Sequence, residues 1–140
     1  MLVSLRRMQS DVSFIGFGEA AQAFVSGPQW SAQSRAYDRK TNDAALREAK
    51  LSDYAALNVA AATTCEEVMS SASHIFSLVT ADQAELAALV ASQHISPGAL
   101  FFDMNSVAPS AKRAAAERIE QAGGRYVDVA VMAPVHPAQL

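Results

Sequence analysis

The sequence predicts an α/β protein with a doubly wound parallel sheet, three layers thick and about six strands wide. Three observations indicate this fold. Short apolar runs alternate with alanine-rich segments of helical periodicity, which is typical of a parallel sheet covered by helices on both faces. The first apolar run ends on a glycine turn that opens a helix. The second run ends on an acidic residue, Asp38, twenty residues after the second glycine of that turn.

The predicted strands are short and rich in β-branched and aromatic residues. In chain order they are residues 12–15, 34–37, 58–62, 74–79, 99–103 and 126–132. The third is the weakest of the six. The turn at Pro97 and Gly98 leads into the fifth, which is almost wholly apolar.

The predicted helices fill the intervals between the strands. In chain order they are residues 19–26, 43–57, 64–71, 82–93 and 109–122. Gly27 and Pro28 end the first helix, and the pair Gly123-Gly124 ends the last, as glycine does at helix C-termini. Thr63 or Thr64 is the expected N-terminal cap of the third helix.

The composition allows one domain and excludes several classes of function. The chain has 140 residues, 51% of them apolar, which is enough to bury one core. We predict an N-terminal extension at residues 1–11, the nucleotide-binding domain at 12–133 and a tail at 134–140. A net charge of −3 without a basic cluster argues against a nucleic-acid partner.

Location and metal content are predicted from what the sequence lacks. No apolar run approaches the ~20 residues that cross a bilayer, and no signal peptide is recognised, so we expect a cytoplasmic protein without a membrane partner. Cys65 is the single cysteine and cannot form an internal disulfide. The three histidines lack the spacing of a metal site, so no metal ligands are assigned.

The glycine turn carries the clearest functional signal. A pyrophosphate needs backbone N–H donors and a helix N-terminus directed at it, with no side chain in the way. Gly16 allows the tight turn, Gly18 allows a close approach of the backbone, and Ala21 replaces a third glycine. Because the pattern follows a strand and opens a helix, it predicts a Rossmann-type dinucleotide site. The expected cofactor-binding residues of the turn are Gly16, Phe17, Gly18, Glu19 and Ala20.

The end of the second strand bears on which dinucleotide is bound. Asp38 can accept hydrogen bonds from the adenosine ribose and repel a 2′-phosphate, which favours NAD. Arg39 and Lys40 follow it and could instead hold that phosphate, which would favour NADP. We expect all three to contact the cofactor, with NAD slightly preferred.

These pieces together resemble the β-hydroxyacid dehydrogenase family, which includes 3-hydroxyisobutyrate and 6-phosphogluconate dehydrogenases. Four segments carry the likeness: residues 14–21, 37–39, 77–80 and 96–109. The last is the most specific, since it contains a Pro-Gly turn, an apolar strand, and then Asp103-Met104-Asn105-Ser106 followed by Pro109. The likeness identifies the chain as a divergent NAD(P)-binding N-terminal domain of this superfamily.

The resemblance implies further site residues. In the family, the segments matched by Val79 and Thr80 pass the nicotinamide side of the cofactor. The hydroxyl-bearing turn matched by Asn105 and Ser106 lies near nicotinamide and substrate, which implies a cofactor contact for Ser106 and substrate contacts for both. Either residue could also cap the helix that follows. The implied reaction moves a hydride between nicotinamide and a small hydroxyacid.

Two departures from the family limit that inference. The substrate-lining Ser-Gly-Gly of the family is absent after residue 132, and no lysine follows Lys112 where the family has its catalytic lysine. We therefore assign no catalytic residue, and expect a hydroxyacid to bind only if a helical second domain, expected after residue 134, is supplied. The alternative is a dinucleotide-binding or partner-binding module without chemistry, for which a homodimer is possible. A methyltransferase is less favoured, because the 103–109 run has no role there.

Overall fold

The computed structural model describes residues 12–26, 34–70 and 72–130. These residues contain one sheet whose strands are β1 (Val12–Ile15), β2 (Ser34–Tyr37), β3 (Ala60–Ala61), β4 (His74–Ser77), β5 (Leu100–Asp103) and β6 (Arg125–Asp128). The strands lie in the order β3-β2-β1-β4-β5-β6, and every neighbouring pair is parallel. The predicted Rossmann-type parallel sheet is confirmed.

The strand order places a switch point between β1 and β4. The chain moves outward from β1 to β3 and then returns to β4 on the other side of β1. β1 pairs residue for residue with both neighbours, so that Ile15 lies between Tyr37 and Ser77. At such a point the successive loops leave the sheet in opposite directions and open a crevice at its carboxyl edge, where ligands bind in this class of fold.

Helices cover both faces of the sheet. They are α1 (Glu19–Ser26), α2 (Arg47–Ala56), α3 (Cys65–Met69), α4 (Ala84–Ser92) and α5 (Pro109–Gln121), with short 3-10 helices at Arg39–Asn42 and Ala81–Gln83. Successive strand residues point to opposite faces. Ile15, Ile75 and Phe101 therefore join a core with α3, α4 and α5, whereas Phe14 and Ala36 join a second core with α1 and α2.

The second helix starts later than predicted. Helix α2 begins at Arg47 rather than at residue 43. The Asp43 carboxylate accepts a hydrogen bond from the Ala45 N–H at 2.8 Å, and such a local turn competes with the helical backbone. Residues 39–42, for which no helix was predicted, form a 3-10 helix whose cap is Asp38, because its carboxylate accepts from the Lys40 N–H.

Other boundaries shift for equally local reasons. β4 ends at Ser77, two residues early, because the Val79 N–H donates to the Asn105 side chain instead of to a neighbouring strand. β3 has only two residues, and β6 begins at Arg125 and ends at Asp128. Helix α3 is shorter than the predicted 64–71, but its cap is Thr64, as predicted, with the hydroxyl accepting from the Glu67 N–H at 3.2 Å.

Some predictions concern residues outside the described ranges. They are the helix stop at Gly27 and Pro28, the N-terminal extension, and the tail from Pro134. The predicted end of the last strand at residue 132 is wrong, since β6 ends at Asp128 and residues 129–130 are not in a strand. Within the described ranges, no helix is long and apolar enough to cross a membrane.

Candidate functional site

A cleft of about 880 Å³ opens at the carboxyl edge of the sheet, where β1, β2, β4 and β5 end. This volume lies within the usual range of cofactor and small-molecule sites. The cleft is lined by Ile15, Gly16, Gly18, Glu19, Ala20, Tyr37, Asp38, Arg39, Lys40, Asn42, Thr63, Thr64, Cys65, Glu66, Leu78, Val79, Thr80, Ala81, Gln83, Leu86, Ala87, Val90, His94, Met104, Asn105 and Ser106. Every predicted cofactor or substrate residue except Phe17 is in this set.

The two glycines of the turn, Gly16 and Gly18, have different roles. Gly16 has φ +85°, and a Cβ there would overlap the Leu78 carbonyl oxygen on the neighbouring loop. Its N–H donates to the Tyr37 carbonyl at 2.8 Å, which fixes the turn to β2. Gly18 has nothing within 4 Å of the position that a Cβ would take. Gly16 is therefore required by the fold, whereas Gly18 leaves open space in the cleft.

The N-terminus of helix α1 meets that open space. The first helical hydrogen bond of α1 runs from the Gln22 N–H to the Gly18 carbonyl at 3.0 Å. The N–H groups before Gln22 therefore have no helical acceptor and are available to an anion. Glu19 and Ala20 line the cleft at this point, and the Glu19 side chain is exposed.

Phe17 lies behind the turn and not in the cleft. Its side chain is fully buried, with its ring 5.0 Å from that of Tyr54 and 6.1 Å from that of Phe14. Its N–H donates to Asp38 Oδ2 at 2.8 Å, and its carbonyl accepts from Lys50 Nζ at 2.7 Å. The structure uses Phe17 to anchor the turn, and the predicted cofactor contact of this residue stays a prediction.

Lys50 is the residue of this network that the sequence reasoning missed. It is 6% exposed, although it lies on α2, far from the turn in sequence. Its ammonium lies 3.3 Å from Asp53 and 4.0 Å from Asp38. One sequence signal could have predicted its burial. Lys50 lies four residues before Tyr54, so both are on the same face of the helix. These two are the buried residues of α2.

Arg39 and Lys40 are exposed and line the cleft beside Asp38. They belong to the 3-10 helix that Asp38 caps. In the 3-10 helix after β4, hydrogen bonds from Thr80 and Gln83 lower the pKa of Asp82, and the positive charge of Arg39 adds a smaller effect. The mouth of the cleft thus has two cationic side chains on the β2 side.

Both polar atoms of the Asn105 side chain make hydrogen bonds within the protein. Its Oδ1 accepts from the Val79 N–H at 2.8 Å, and its Nδ2 donates to Ser77 Oγ at 3.1 Å and to Asp103 Oδ1 at 2.9 Å. Its side-chain amide therefore joins the loops after β4 and β5. Thr80 and Ser106 on those loops are exposed and face the cleft, so they are better placed than Asn105 to touch a ligand.

Asp103 extends this network away from the cleft. The carboxylate is 2% exposed, and its Oδ2 accepts from the Tyr126 hydroxyl at 2.7 Å. Burial, together with this hydrogen bond and the charge of Asp103, raises the pKa of Tyr126 above its ordinary value. Lys112 Nζ donates to the Asp103 carbonyl at 3.0 Å and to Asp128 at 2.6 Å. Neither Tyr126 nor Lys112 was singled out as part of the site by the sequence.

Cys65 and His94 also line the cleft. Burial raises the pKa of the Cys65 thiol to about 11, so it is protonated at neutral pH. His94 lines the cleft beside Val90, at the end of α4. No group of three or more potential metal ligands occurs in the described parts of the chain.

The family of the chain follows from comparison with known proteins. A family model of the NAD binding domain of 6-phosphogluconate dehydrogenase matches residues 11–139. The chain belongs to this family. As an NAD-binding domain of the 6-phosphogluconate dehydrogenase type, it carries the expected glycine turn near the start of the match, and its ligand class is a nicotinamide dinucleotide.

Solved structures share this fold. A conserved hypothetical protein from Sinorhizobium meliloti 1021 is 37% identical, with a TM-score of 0.85 over 93% of this chain. The conserved protein MTH1747, described as similar in structure to 3-hydroxyacid dehydrogenases, is 28% identical, with a TM-score of 0.73 over 90% of this chain. The Mycobacterium tuberculosis 3-hydroxyisobutyrate dehydrogenase, solved with L-serine, is 20% identical, with a TM-score of 0.76 over 94% of this chain.

This chain spans less than half the length of those proteins. It covers 44%, 45% and 44% of the three chains, respectively. No curated protein gives a significant match. The comparisons therefore assign the nucleotide-binding domain and its family, and the activity of a whole enzyme is a matter for proposal.

Proposed function

We propose that this domain holds NAD or NADP for an oxidoreductase that moves a hydride between nicotinamide and a small hydroxyacid. The observation that carries the proposal is the open space beside Gly18, where α1 begins with N–H groups that have no helical acceptor. A pyrophosphate has the size and charge for that position. The cleft continues from there along both sides of the switch point.

Each part of the dinucleotide has candidate residues in the cleft. The backbone of Gly16 to Ala20 would hold the pyrophosphate, with Phe17 supporting it from behind. Asp38, Arg39 and Lys40 would surround the adenosine ribose. When bound, the nicotinamide supplies the carbon that carries the hydride.

The opposite end of the cleft would position the nicotinamide and substrate. Val79, Thr80 and Ser106 line that end, and Asn105 holds the two loops together. We propose that the acid–base group for the substrate hydroxyl comes from outside residues 12–130. In support, Lys112 is bound to Asp103 and Asp128 and is not among the residues lining the cleft.

Titration of the purified protein with NADH and NADPH, followed by nicotinamide fluorescence, tests the proposal. We expect saturable binding of at least one dinucleotide at micromolar to millimolar concentration. Gly18→Ala should weaken binding at least tenfold while leaving the free energy of unfolding within about 1 kcal/mol, because its Cβ would meet only the ligand. Ser52→Ala, an exposed change on α2, is the matched control and should alter neither quantity.

The result of this titration, together with an activity assay, also distinguishes the domain of an enzyme from the alternative, a binding module without chemistry. Absence of binding at millimolar concentration of either dinucleotide would refute the proposed function. The non-catalytic module would be favoured if the dinucleotide binds but no small 3-hydroxyacid is turned over, even when a helical second domain is supplied. Sedimentation of the same preparation tests the predicted homodimer.

A further inference from the structure

Asp103 carries a buried carboxylate that does not line the cleft. The residue is 2% exposed, lies at the end of β5 and is absent from the cleft lining. Its Oδ1 accepts from the Asn105 N–H at 3.1 Å and from Asn105 Nδ2 at 2.9 Å. Its Oδ2 accepts from the Tyr126 hydroxyl at 2.7 Å. Removing a carboxylate from water is costly, and these donors offset part of that cost.

Lys112 supplies the positive charge beside this carboxylate. It lies near the start of α5, and its side chain is 12% exposed. Its Nζ lies 3.8 Å from Asp103 Oδ1 and donates to the Asp103 carbonyl at 3.0 Å. It also donates to Asp128 Oδ1 at 2.6 Å, but the Asp128 side chain is 62% exposed, so solvent screens that pair. The contact of Lys112 with Asp103 is the shielded one, and it joins the start of α5 to the end of β5.

The charge of Asp103 determines which way the Asn105 amide faces. A carboxylate only accepts hydrogen bonds, so the amide must present its Nδ2 to it. The amide oxygen then faces the opposite way, where it accepts from the Val79 N–H at 2.8 Å. The loop after β4 is therefore tied to the loop after β5 in an arrangement that the buried charge selects.

Thr80 and Ser106 are the cleft residues that depend on this arrangement. Both are exposed and line the cleft, and each directly follows one of the two tied residues, Val79 and Asn105. The glycine turn and Asp38 are held by other contacts, namely the bonds of Phe17 with Asp38 and Lys50. Among the described residues, no side-chain hydrogen bond joins these two sets of contacts. The two ends of the cleft are thus supported separately.

From these contacts, we propose that Asp103 and Lys112 are positioning residues for the nicotinamide end of the cleft, although neither lines it. They act through Asn105 on Thr80 and Ser106. The inference rests on the proposed dinucleotide function. It implies that loss of either residue weakens the contacts to the nicotinamide half of the ligand and leaves the adenosine half bound as before.

Isothermal titration with two pairs of probes tests the inference: NADH with ADP-ribose, and NADPH with 2′-phospho-ADP-ribose. Within each pair the adenosine half is the same, and only the dinucleotide has the nicotinamide. Lys112→Met keeps the apolar stem of the side chain and removes the charge. We expect it to weaken the tighter-binding dinucleotide about tenfold, the equivalent of one lost hydrogen bond, and to leave its ADP-ribose counterpart within about twofold.

Three further variants control for charge and for packing. Arg113→Met removes the same charge from the exposed neighbouring position and should leave every affinity within about twofold. Lys112→Arg keeps a cation and its donors, so it should recover most of the loss. Asp103→Asn removes the buried charge with little change of shape and should reproduce the selective loss. Either Lys112→Met or Asp103→Asn decides the test if the other variant does not fold.

Several results would contradict the inference. An equal fall in affinity for the dinucleotide and for its ADP-ribose counterpart would overturn it, as would no change in either, because a purely structural role does not distinguish the two halves of the ligand. The same holds if the wild-type protein binds ADP-ribose at least as tightly as the dinucleotide, since the nicotinamide would then make no favourable contact. Failure of the wild-type protein to bind any of the four probes would instead refute the proposed function itself.

Discussion

The Oδ1 atom of Asn105 accepts a hydrogen bond from the backbone N–H of Val79 at 2.8 Å, and this contact joins the loops that follow β4 and β5. The same side chain donates to Ser77 and to Asp103, so that one amide satisfies groups from two strands and a loop. Because these loops form the end of the cleft at Thr80 and Ser106, their relative position depends on this residue.

Replacement of Asn105 should therefore affect both stability and binding. Asn105→Ala leaves the Val79 N–H without its acceptor and removes the side-chain donor to Asp103 Oδ1, which keeps the backbone N–H of residue 105. The loss costs about 1–3 kcal/mol of unfolding free energy. Dinucleotide affinity should fall as the loop after β4 loses its support. Urea denaturation and fluorescence titration measure the two effects, and unchanged values in both would contradict the assignment.

The variant Asn105→Asp should have a stability that depends on pH. The new carboxylate would lie against that of Asp103, which is 2.9 Å from the present Nδ2, so like charges would raise its pKa. A raised pKa for a carboxyl group means that stability is lost as the pH rises and the group ionises. The variant should thus be more stable at pH 5 than at pH 8, relative to the wild-type protein. Equal destabilisation at both values would argue against close contact of the two groups.

Gly16→Ala should unfold the turn rather than merely block the cleft. The positive φ and the overlap with the Leu78 carbonyl act together, and the expected loss is about 2 kcal/mol or more. Gly18→Ala is the matched comparison, since its Cβ has free space. Thermal unfolding distinguishes the two, and a Gly16 variant as stable as the Gly18 variant would be evidence against the reported geometry.

Cys65 should be slow to alkylate. With a thiol pKa of about 11, roughly a thousandth of the side chain is ionised at pH 8, against about a quarter for a free thiol of pKa ~8.5. The rate of reaction with iodoacetamide, followed by mass spectrometry, should rise about tenfold per pH unit up to pH ~10. Because Cys65 lines the cleft, NADPH should slow it further. A rate that levels off near pH 8.5 would show an ordinary thiol.

Two tyrosines should respond in opposite ways to loss of the hydroxyl. The Tyr54 hydroxyl is buried without a hydrogen-bond partner among the described residues, so Tyr54→Phe should raise the unfolding free energy by about 1 kcal/mol. The Tyr126 hydroxyl donates to buried Asp103, so Tyr126→Phe should lower it by about 1.5–3 kcal/mol. The pair is compared by urea denaturation at pH 7, and the same sign for both would contradict either the unpaired Tyr54 hydroxyl or the Tyr126 hydrogen bond.

The Tyr126 contact also predicts sensitivity to alkali. Burial and the hydrogen bond to Asp103 raise the pKa of Tyr126 in the folded protein. Its contribution to stability is then complete below pH ~10, the ordinary phenol value, and decreases as the pH rises above that. Tyr126→Phe should flatten this part of the stability curve.

The strands and the glycine turn could be predicted because their signals are local. An apolar run such as residues 100–103, or a glycine pair that ends a strand and opens a helix, depends on residues adjacent in the chain. The boundaries of α2 and β4 could not be placed as well, because the side chains of Asp43 and Asn105 take backbone N–H groups that regular structure would otherwise use.

Periodicity and turn chemistry are properties of short segments, so the fold class, the parallel sheet and the glycine turn could be predicted without coordinates. The contacts of Asp38, in contrast, depend on tertiary packing. Its partners, Phe17 and Lys50, are brought together by bonds that join residues 21 and 33 positions apart. Which donor reaches a carboxylate depends on how helices and strands pack together, and a local sequence pattern does not predict it.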